Sequence, residues 1–247
     1  MTRFLIFAPG PSLDLYKGQD VTGFITIGMG GTCFYHASDH HFYNDPIDEI
    51  GEMIRTTQVQ KPLRTVYQPG NYAPFQIVPG AKFFVGKDES GPLSSTLDLP
   101  ECGLSLCFAV RLALGLGQQR PMEINILGCD FRDAEDGRHY ASRIPHNPKA
   151  EKRSNLAEQL DCLERFFAAI RNSDKYNHVT LWNLTPGSLL TALEYRTLEQ
   201  AIQVASEDAS VGPHRSPSQG KVAISYEKAR ANSGFRFLEG SRTTDYR

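Results

Sequence analysis

The chain has no apolar stretch long enough to cross a bilayer, and its cysteines form no CxxC pair. Its first apolar run, residues 4–8, is too short for a secretory signal because Pro9 interrupts it. The sequence therefore predicts a cytoplasmic protein without a membrane span. An odd number of cysteines argues against a disulfide framework or a zinc site and favours free thiols. They are Cys33, Cys102, Cys107, Cys129 and Cys162.

Net charge is also nearly absent, because 26 Lys and Arg residues are balanced by 28 Asp and Glu residues, which gives a formal charge of -2. Such a balance creates no global field that attracts nucleic acid or anionic lipid, so a polyanionic partner would need a local basic patch. The 247 residues, 40% hydrophobic and 22% charged, are ordinary for a globular protein with a substantial core.

Strand-like and helix-like segments alternate along most of the chain. This alternation predicts an α/β fold, a single Rossmann-like domain with a mostly parallel sheet and helices on both faces. Strands are expected at 3–8, 23–27, 41–43, 63–67, 82–85, 123–127 and 178–182. Helices are expected at 103–116, at 155–172 and from Thr197 onward, because apolar residues recur there at helical spacing.

The composition changes at residue 206. We expect 1–205 to be a nucleotide-binding α/β catalytic domain, and 206–220, rich in Ser, Pro and Gly, to be a flexible linker. Residues 221–247 are too short for a domain and form a C-terminal tail. Its aromatic residues can dock on the main body or on a neighbouring subunit of a homo-oligomer, and a frayed terminus is the alternative.

The first predicted strand leads into the loop Pro9-Gly10-Pro11-Ser12. Gly10 can adopt a positive φ there and turn backbone N–H groups toward a phosphate, while Ser12 offers a hydroxyl ligand or a helix N-cap. The loop has no lysine, so it is not a P-loop. An ordinary structural turn is the alternative interpretation.

The run 39–45 places two carboxylates, Asp39 and Asp45, on either side of a short predicted strand that contains histidines. Such a run can bind a divalent cation or ribose hydroxyls. Strand alternation sends His40 and His41 to opposite faces, so these side chains cannot all share one site.

The densest cluster of polar side chains follows the predicted strand 123–127, a position where loops carry sites in open α/β sheets. Arginine and tyrosine suit a phosphate leaving group, and histidine suits a general acid or base. A solvated polar loop is the alternative. The cluster, which follows Gly128, contains Asp130, Arg132, His139, Tyr140, Arg143 and His146.

A fourth motif, residues 182–190, follows the last predicted strand. Asn183, Thr185 and Ser188 either face a cleft, where they recognise a base or ribose, or cap a helix that begins there. The sequence leaves both interpretations open.

Taken together, these motifs resemble a known family. They occur in the order Gly10-Pro11-Ser12-Leu13, helix 103–116, Gly128-Cys129-Asp130-Phe131, His139-Tyr140-Ala141, Leu163-Glu164-Arg165-Phe166 and residues 183–190. Over residues 3–204 this order resembles the bacterial CMP-sialic-acid-dependent sialyltransferases. It also resembles the related superfamily that includes archaeal 6-hydroxymethylpterin diphosphokinase-like proteins and bacteriophage proteins.

The resemblance implies a glycosyltransferase that moves a sugar from a nucleotide donor to an acceptor hydroxyl, with no metal or other cofactor. It implies that the loop 10–13 and the pair Cys102-Gly103 hold the nucleotide, and that Tyr140 binds its phosphate. Arg132 stands where the family has a second phosphate-binding tyrosine. The catalytic base is a downstream histidine, which is His146 or, as the alternative, His139.

The same motifs leave other functions open. Gly28-Met29-Gly30 stands where the family has an asparagine that contacts the nucleotide, so the donor can be a different nucleotide sugar. The related diphosphokinases imply Mg²⁺-dependent transfer from ATP to a pterin-like alcohol, with Asp39, Asp45 or Asp130 holding the metal. A phage protein that binds a nucleotide without catalysis is the third alternative.

Overall fold

The computed structural model describes residues 1–42, 65–69, 82–84, 94–96, 98–100, 102, 104–131, 140–144 and 156–210. Met1–Ser210 form one compact unit. The predicted tail at 221–247 and residues 211–220 of the predicted linker lie outside the described residues.

In the described part of the chain, eight strands form one sheet, and every neighbouring pair is parallel. They are β1 (Thr2–Phe7), β2 (Ile25–Met29), β3 (His40–Phe42), β4 (Thr65–Pro69), β5 (Lys82–Phe84), β6 (Met122–Leu127), β7 (Val179–Asn183) and β8 (Glu194–Tyr195). Their order across the sheet is β5-β4-β3-β2-β1-β6-β7-β8.

Helical segments cover both faces of this sheet. One face packs against α1 (Ser105–Gly117) and α2 (Leu156–Arg171). The other packs against α3 (Leu198–Ser210) and against two short 3-10 turns, Pro11–Leu15 and Gly30–Phe34. This arrangement confirms the predicted Rossmann-like α/β fold. Among the helices that the structure describes, none is long and apolar enough to cross a membrane.

The central strand β1 is apolar on both faces, as a parallel strand between two helical layers must be. Its residues Phe4, Leu5, Ile6 and Phe7 are fully buried. Alternate side chains point to opposite faces, so Phe4 and Ile6 join the core beneath α1 and α2, whereas Leu5 and Phe7 join the core beneath α3. Each such side chain contributes roughly 1.5–3 kcal/mol of hydrophobic stabilisation.

Several elements have boundaries that differ from the sequence-based prediction, among them β2 and α3. β2 begins two residues later than expected, because its pairing with β1 runs from Ile25 to Gly28. α3 continues through Ser210, so the first residues of the predicted linker, 206–210, are helical. Asp208 on this last turn forms an ion pair with Arg3 of β1, which anchors the end of the helix to the sheet. The two-residue strand β8 was not predicted.

The loops that follow β1 and β6 leave the sheet in opposite directions. β1 and β6 are neighbours, but the chain proceeds from β1 to β2 on one side and from β6 to β7 on the other. Loops that diverge in this way leave a crevice outside the carboxyl ends of the strands, which is where open α/β sheets bind ligands. The two loops that the sequence singles out, after residues 8 and 127, therefore lie at this switch point.

Candidate functional site

The loops after β1 and β6 meet through Ser12 and Asp130. The backbone N–H of Ser12 donates to both carboxylate oxygens of Asp130, at 3.2 Å and 3.1 Å, and the Ser12 hydroxyl donates to Oδ2 at 2.8 Å. Asp130 is buried. Hydrogen bonds to a charged group are roughly twice as strong as those between neutral groups, so this contact fixes the two loops against each other.

The loop after β7 joins the same junction through Thr185. Its hydroxyl oxygen accepts the backbone N–H groups of Gly128 at 3.1 Å and Cys129 at 2.9 Å, and the Ser12 hydroxyl lies 3.3 Å away. The Thr185 N–H in turn donates to the side-chain oxygen of Asn183 at 3.0 Å. Asn183 and Thr185, two of the three predicted polar residues of the fourth motif, therefore hold the loop in place.

Ser188, the third polar residue of that motif, holds the next part of the same loop. Its hydroxyl donates to the Cys129 carbonyl at 2.5 Å and accepts the N–H of Leu190 at 3.2 Å. The N–H of Leu189 donates to the Asp130 carbonyl at 3.2 Å. The structure describes 184–193 as turns and bends, so the interpretation of Ser188 as the cap of a helix is wrong.

Two glycines allow the loops after β1 and β6 to approach so closely. The N–H of Gly10 donates to the Gly128 carbonyl at 2.9 Å, and a Cβ on Gly10 would lie 2.4 Å from that carbonyl oxygen and 2.4 Å from Asp130 Oδ2. Gly10 has φ of -65°, so the expected positive φ is wrong and the glycine is needed for space. The positive φ occurs at Gly128, with φ of +88°, where a Cβ would lie 1.9 Å from the Ala8 carbonyl oxygen.

The backbone N–H groups at this junction have internal partners, including those of the first loop that were expected to face a phosphate. Gly10 donates to a carbonyl, Ser12 to a carboxylate, and Gly128 and Cys129 to a hydroxyl. Pro11 has no N–H to offer. The junction of the three loops is thus a frame at the switch point whose backbone N–H groups are used in contacts within the protein.

Residues 140–144 pack onto this frame. The N–H of Ala141 donates to the Pro9 carbonyl at 2.9 Å, which places Tyr140 beside the first loop. The Asp14 carboxylate accepts the Ser142 N–H at 3.0 Å to each oxygen and the Ser142 hydroxyl at 2.8 Å. Tyr140 is half-buried. Asp14 therefore acts as the anchor that brings this tyrosine to the switch point.

Tyr35 contacts both Asp14 and the segment 140–144. Its hydroxyl donates to Asp14 and accepts the N–H of Arg143 at 2.9 Å, while the Arg143 guanidinium lies 4.3 Å from the Tyr35 ring centre. Burial, and next the hydrogen bond to Asp14, raise the pKa of Tyr35 above its usual value, so the hydroxyl stays protonated and keeps donating. Sequence reasoning missed both Asp14 and Tyr35, because neither stands in a recognisable motif.

Several predicted residues lie outside the described ones: His139, His146, Arg132 and Gly103, together with Asp45 of the run 39–45. Cys102 is described. It is buried ahead of α1, in the same apolar core as Cys107.

The structure does not bring together Asp39 and Asp130, two of the residues considered as metal ligands. The Asp39 carboxylate accepts the N–H of Thr26 at 2.9 Å and its hydroxyl at 3.1 Å, beside the body of β2, whereas Asp130 lies beyond the end of β6. In the ranges that the structure describes, no group of three or more His, Cys, Asp and Glu residues is arranged to hold a metal ion.

Gly28 has no room for a side chain. A Cβ on Gly28 would lie 2.7 Å from His41 Nδ1, 2.7 Å from Ser38 Oγ and 2.8 Å from Thr32 Oγ1. An asparagine at this position would collide with all three. The Nε2 atom of His41 donates to the Gly30 carbonyl at 2.9 Å, and because a carbonyl only accepts, Nε2 carries the proton.

No family model matches the chain, and neither does any curated protein. Among solved structures, the sialyltransferase CstII from Campylobacter jejuni, in complex with the substrate analogue CMP-3FNeuAc, is 16% identical over 79% of this chain and 86% of that chain, with a TM-score of 0.47. The α-2,3-sialyltransferase Cst-I from Campylobacter jejuni is 14% identical over 78% of this chain and 79% of that chain, with a TM-score of 0.45. The function is therefore inferred from this chain's own residues.

Proposed function

We propose that the protein is a glycosyltransferase that uses a nucleotide-sugar donor and transfers the sugar to an acceptor hydroxyl. The observation that carries this proposal is the junction of Ser12, Asp130 and Thr185, which joins three loops at the switch point of a parallel sheet. Ligands of open α/β sheets bind at such points. The choice of a nucleotide sugar as the donor rests on the order of motifs in the sequence.

In the proposed reaction the loops 10–13 and 128–130 form the floor of the donor site. Tyr140, held by the Ala141–Pro9 and Ser142–Asp14 contacts, binds the phosphate of the donor, and Arg132 is its proposed partner. These groups stabilise the negative charge that develops on the nucleoside phosphate as it leaves the sugar.

The acceptor hydroxyl must lose a proton as its oxygen attacks the anomeric carbon. We propose that His146, or His139 as the alternative, accepts this proton, because a neutral imidazole is a suitable general base near pH 7. No metal takes part in the proposed mechanism. We therefore expect donor turnover to be unchanged by a chelator.

A panel of nucleotides tests the proposal. CMP, UMP, UDP, ADP, and ATP with Mg²⁺ are each added to the full chain, and the melting temperature is measured. A cytidine or uridine nucleotide is expected to raise it, since a ligand at about 100 times its Kd stabilises the native state by about 2.7 kcal/mol. A panel in which none of them does so, or in which only Mg-ATP does, would contradict the proposal.

The binding result is then tied to the site by two matched variants. Tyr140→Phe removes one hydroxyl beside the first loop and should reduce the shift produced by the nucleotide. Tyr195→Phe removes a hydroxyl from a tyrosine that is 52% exposed on β8, and should leave that shift unchanged. Release of free nucleotide from CMP- or UDP-linked sugars, with water as the acceptor, measures turnover without knowledge of the natural acceptor.

A further inference from the structure

Residues 140–144 lie across the carboxyl ends of β1 and β2. The N–H of Ala141 donates to the carbonyl of Pro9, in the loop after β1. Ile144 packs on the 3-10 turn after β2, since a Cβ on Gly31 would lie 2.6 Å from Ile144 Cγ2. A turn closes the segment itself, because the Ile144 N–H donates to the Ala141 carbonyl at 3.1 Å. We call residues 140–144 the crossing segment.

Arg143 has a defined position on the crossing segment. Its guanidinium lies over the Tyr35 ring, 4.3 Å from the ring centre, and its backbone N–H donates to the Tyr35 hydroxyl at 2.9 Å. Tyr35 is buried, and its hydroxyl donates to Asp14. The Arg143 side chain is exposed, so its N–H donors can reach a ligand. Stacking on a fixed ring therefore orders this guanidinium before any ligand binds.

The positive charge of Arg143 is not matched by an acid in the described part of the chain. No carboxylate there lies within ion-pair distance of its guanidinium. Asp14, which shares Tyr35 with it, accepts the N–H and the hydroxyl of Ser142. An ordered guanidinium with unused donors, at the edge where open α/β sheets bind ligands, is suited to an anionic group of the substrate.

We propose that Arg143 is the centre of a diphosphate subsite, which makes the sugar donor a nucleoside diphosphate sugar. This inference rests on the proposed function, in which Tyr140 and Arg132 bind one phosphate of the donor. Tyr140 and Arg143 belong to the same five-residue segment, so a second phosphate joined to the first comes within reach of the arginine. The planar guanidinium matches two oxygens of that phosphate.

A diphosphate leaving group explains why the site needs a further cation. As the acceptor oxygen bonds to the anomeric carbon, the bond from that carbon to the phosphate oxygen breaks, and its electron pair leaves with the diphosphate. A diphosphate carries more negative charge than a monophosphate, and the proposed reaction uses no metal ion to neutralise it. Arg143 stabilises this charge together with the groups that bind the first phosphate.

Isothermal titration of the full chain with paired nucleotides tests the inference. CMP is compared with CDP, and UMP with UDP, at one salt concentration and with EDTA present. The wild type should bind the diphosphate at least about tenfold more tightly than the matching monophosphate. Arg143→Ala should remove most of this preference and leave the affinity for the monophosphate nearly unchanged. Arg143→Lys keeps the charge without the planar fork, so it should retain only part of the preference.

Two controls separate a ligand contact from a loss of structure. The melting temperature of Arg143→Ala without ligand should be close to that of the wild type, because the side chain is exposed. Arg120→Ala is the matched control, since Arg120 is also exposed but precedes β6, at the amino end of that strand. This variant should keep the full preference for the diphosphate.

Sodium pyrophosphate is titrated into the same variants, because it binds a diphosphate subsite without a nucleoside. Equal affinities of the wild type for the monophosphate and the diphosphate, or a preference that Arg143→Ala retains, would overturn the inference and leave the proposed function standing. If no nucleotide binds, the proposed function fails. In that case pyrophosphate binding that Arg143→Ala abolishes would still support the subsite, and a wild type that does not bind pyrophosphate would overturn it as well.

Discussion

The carboxylate of Asp130 accepts both the backbone N–H and the hydroxyl of Ser12, although 118 residues separate them in the chain. This contact joins the ends of β1 and β6 at the switch point of the sheet. It also uses the N–H that a phosphate-binding loop would otherwise present to its ligand. Asp130 thus fixes the shape of the site from within the protein.

Replacing Asp130 by Asn should destabilise the protein by about 1.5–3 kcal/mol, since it removes charge-assisted hydrogen bonds to a buried junction. Urea denaturation measures the change. Ser12→Ala, which removes only the hydroxyl, should cost about 1 kcal/mol. In a double-mutant cycle the two effects should fall short of additivity. Simple additivity would mean that the contact does not couple the loops.

Gly128→Ala should be among the most damaging substitutions in the chain, at more than roughly 2 kcal/mol, because backbone strain and a collision add together. Gly128 has φ of +88° and lacks room for a Cβ, with the Ala8 carbonyl oxygen at 1.9 Å. Gly18 has φ of +87° with nothing within 4 Å. Gly18→Ala is therefore the matched control for the strain alone, and equal losses of stability would refute the importance of the close approach.

Thr185→Val keeps the shape of the side chain and removes its hydroxyl. The N–H groups of Gly128 and Cys129 then lose their acceptor in a buried place, which costs about 1–3 kcal/mol for each unsatisfied group. Thr185→Ser keeps the hydroxyl and should lose clearly less. Thermal unfolding of the two variants, measured side by side, distinguishes the hydrogen bonds from the packing of the methyl group.

Asp14→Ala should weaken nucleotide binding about tenfold, or about 1.4 kcal/mol, even though Asp14 is not proposed to touch the nucleotide. Its carboxylate holds Ser142 and Tyr35, and so positions Tyr140 beside the first loop. Isothermal titration with the nucleotide that raises the melting temperature measures the effect. Asp20→Ala removes an exposed carboxylate that binds only Thr22 among the contacts described, and should leave affinity unchanged.

Stability should fall as the pH drops from about 6.5 toward 4. His41 is fully buried and held neutral, and burial lowers its pKa from 6.5 to about 4. Between pH 6.5 and pH 4, His41 binds a proton in the unfolded chain but not in the folded protein, so protonation favours unfolding. Below pH 4 the free energy of unfolding is lower by about 3 kcal/mol. Burial lowers the pKa of His36 as well, which acts in the same direction.

Urea denaturation at several pH values measures this loss. His41→Gln removes the titrating group, so its stability, lower at neutral pH, should depend less on pH in the same window. If the variant and the wild type lose stability in parallel between pH 6.5 and 4, then His41 is not responsible.

Local patterns in the sequence predicted much of the fold. The unbroken apolar run 4–8 and the segment 123–127, in which apolar residues alternate with Glu123 and Asn125, both indicated strands, and they became the central pair β1 and β6. Helical spacing of apolar residues located α1 and α2 to within about two residues, which is the usual uncertainty of helix ends. These features are local, because each depends on neighbours within a few positions.

Local sequence patterns predicted only part of the candidate site. The sequence could select the loop 10–13, Asp130 and Thr185 as polar residues after strands, since loops on that edge carry function. It could not show that they bind one another, that Gly10 is needed for space instead of for a positive φ, or that Asp14 and Tyr35 anchor Tyr140. Each of these facts depends on which atoms meet across the sheet.

The amino-acid sequence by itself determined the alternation of strands and helices, and with it a parallel sheet between two helical layers, because periodic burial is a property of short segments. Only the tertiary structure decided the register of β2 and the meeting of three loops around Asp130. The physical reason is distance along the chain. Hydrogen bonds act over a few ångströms, and residues so far apart in sequence come within that range only after the whole sheet has formed.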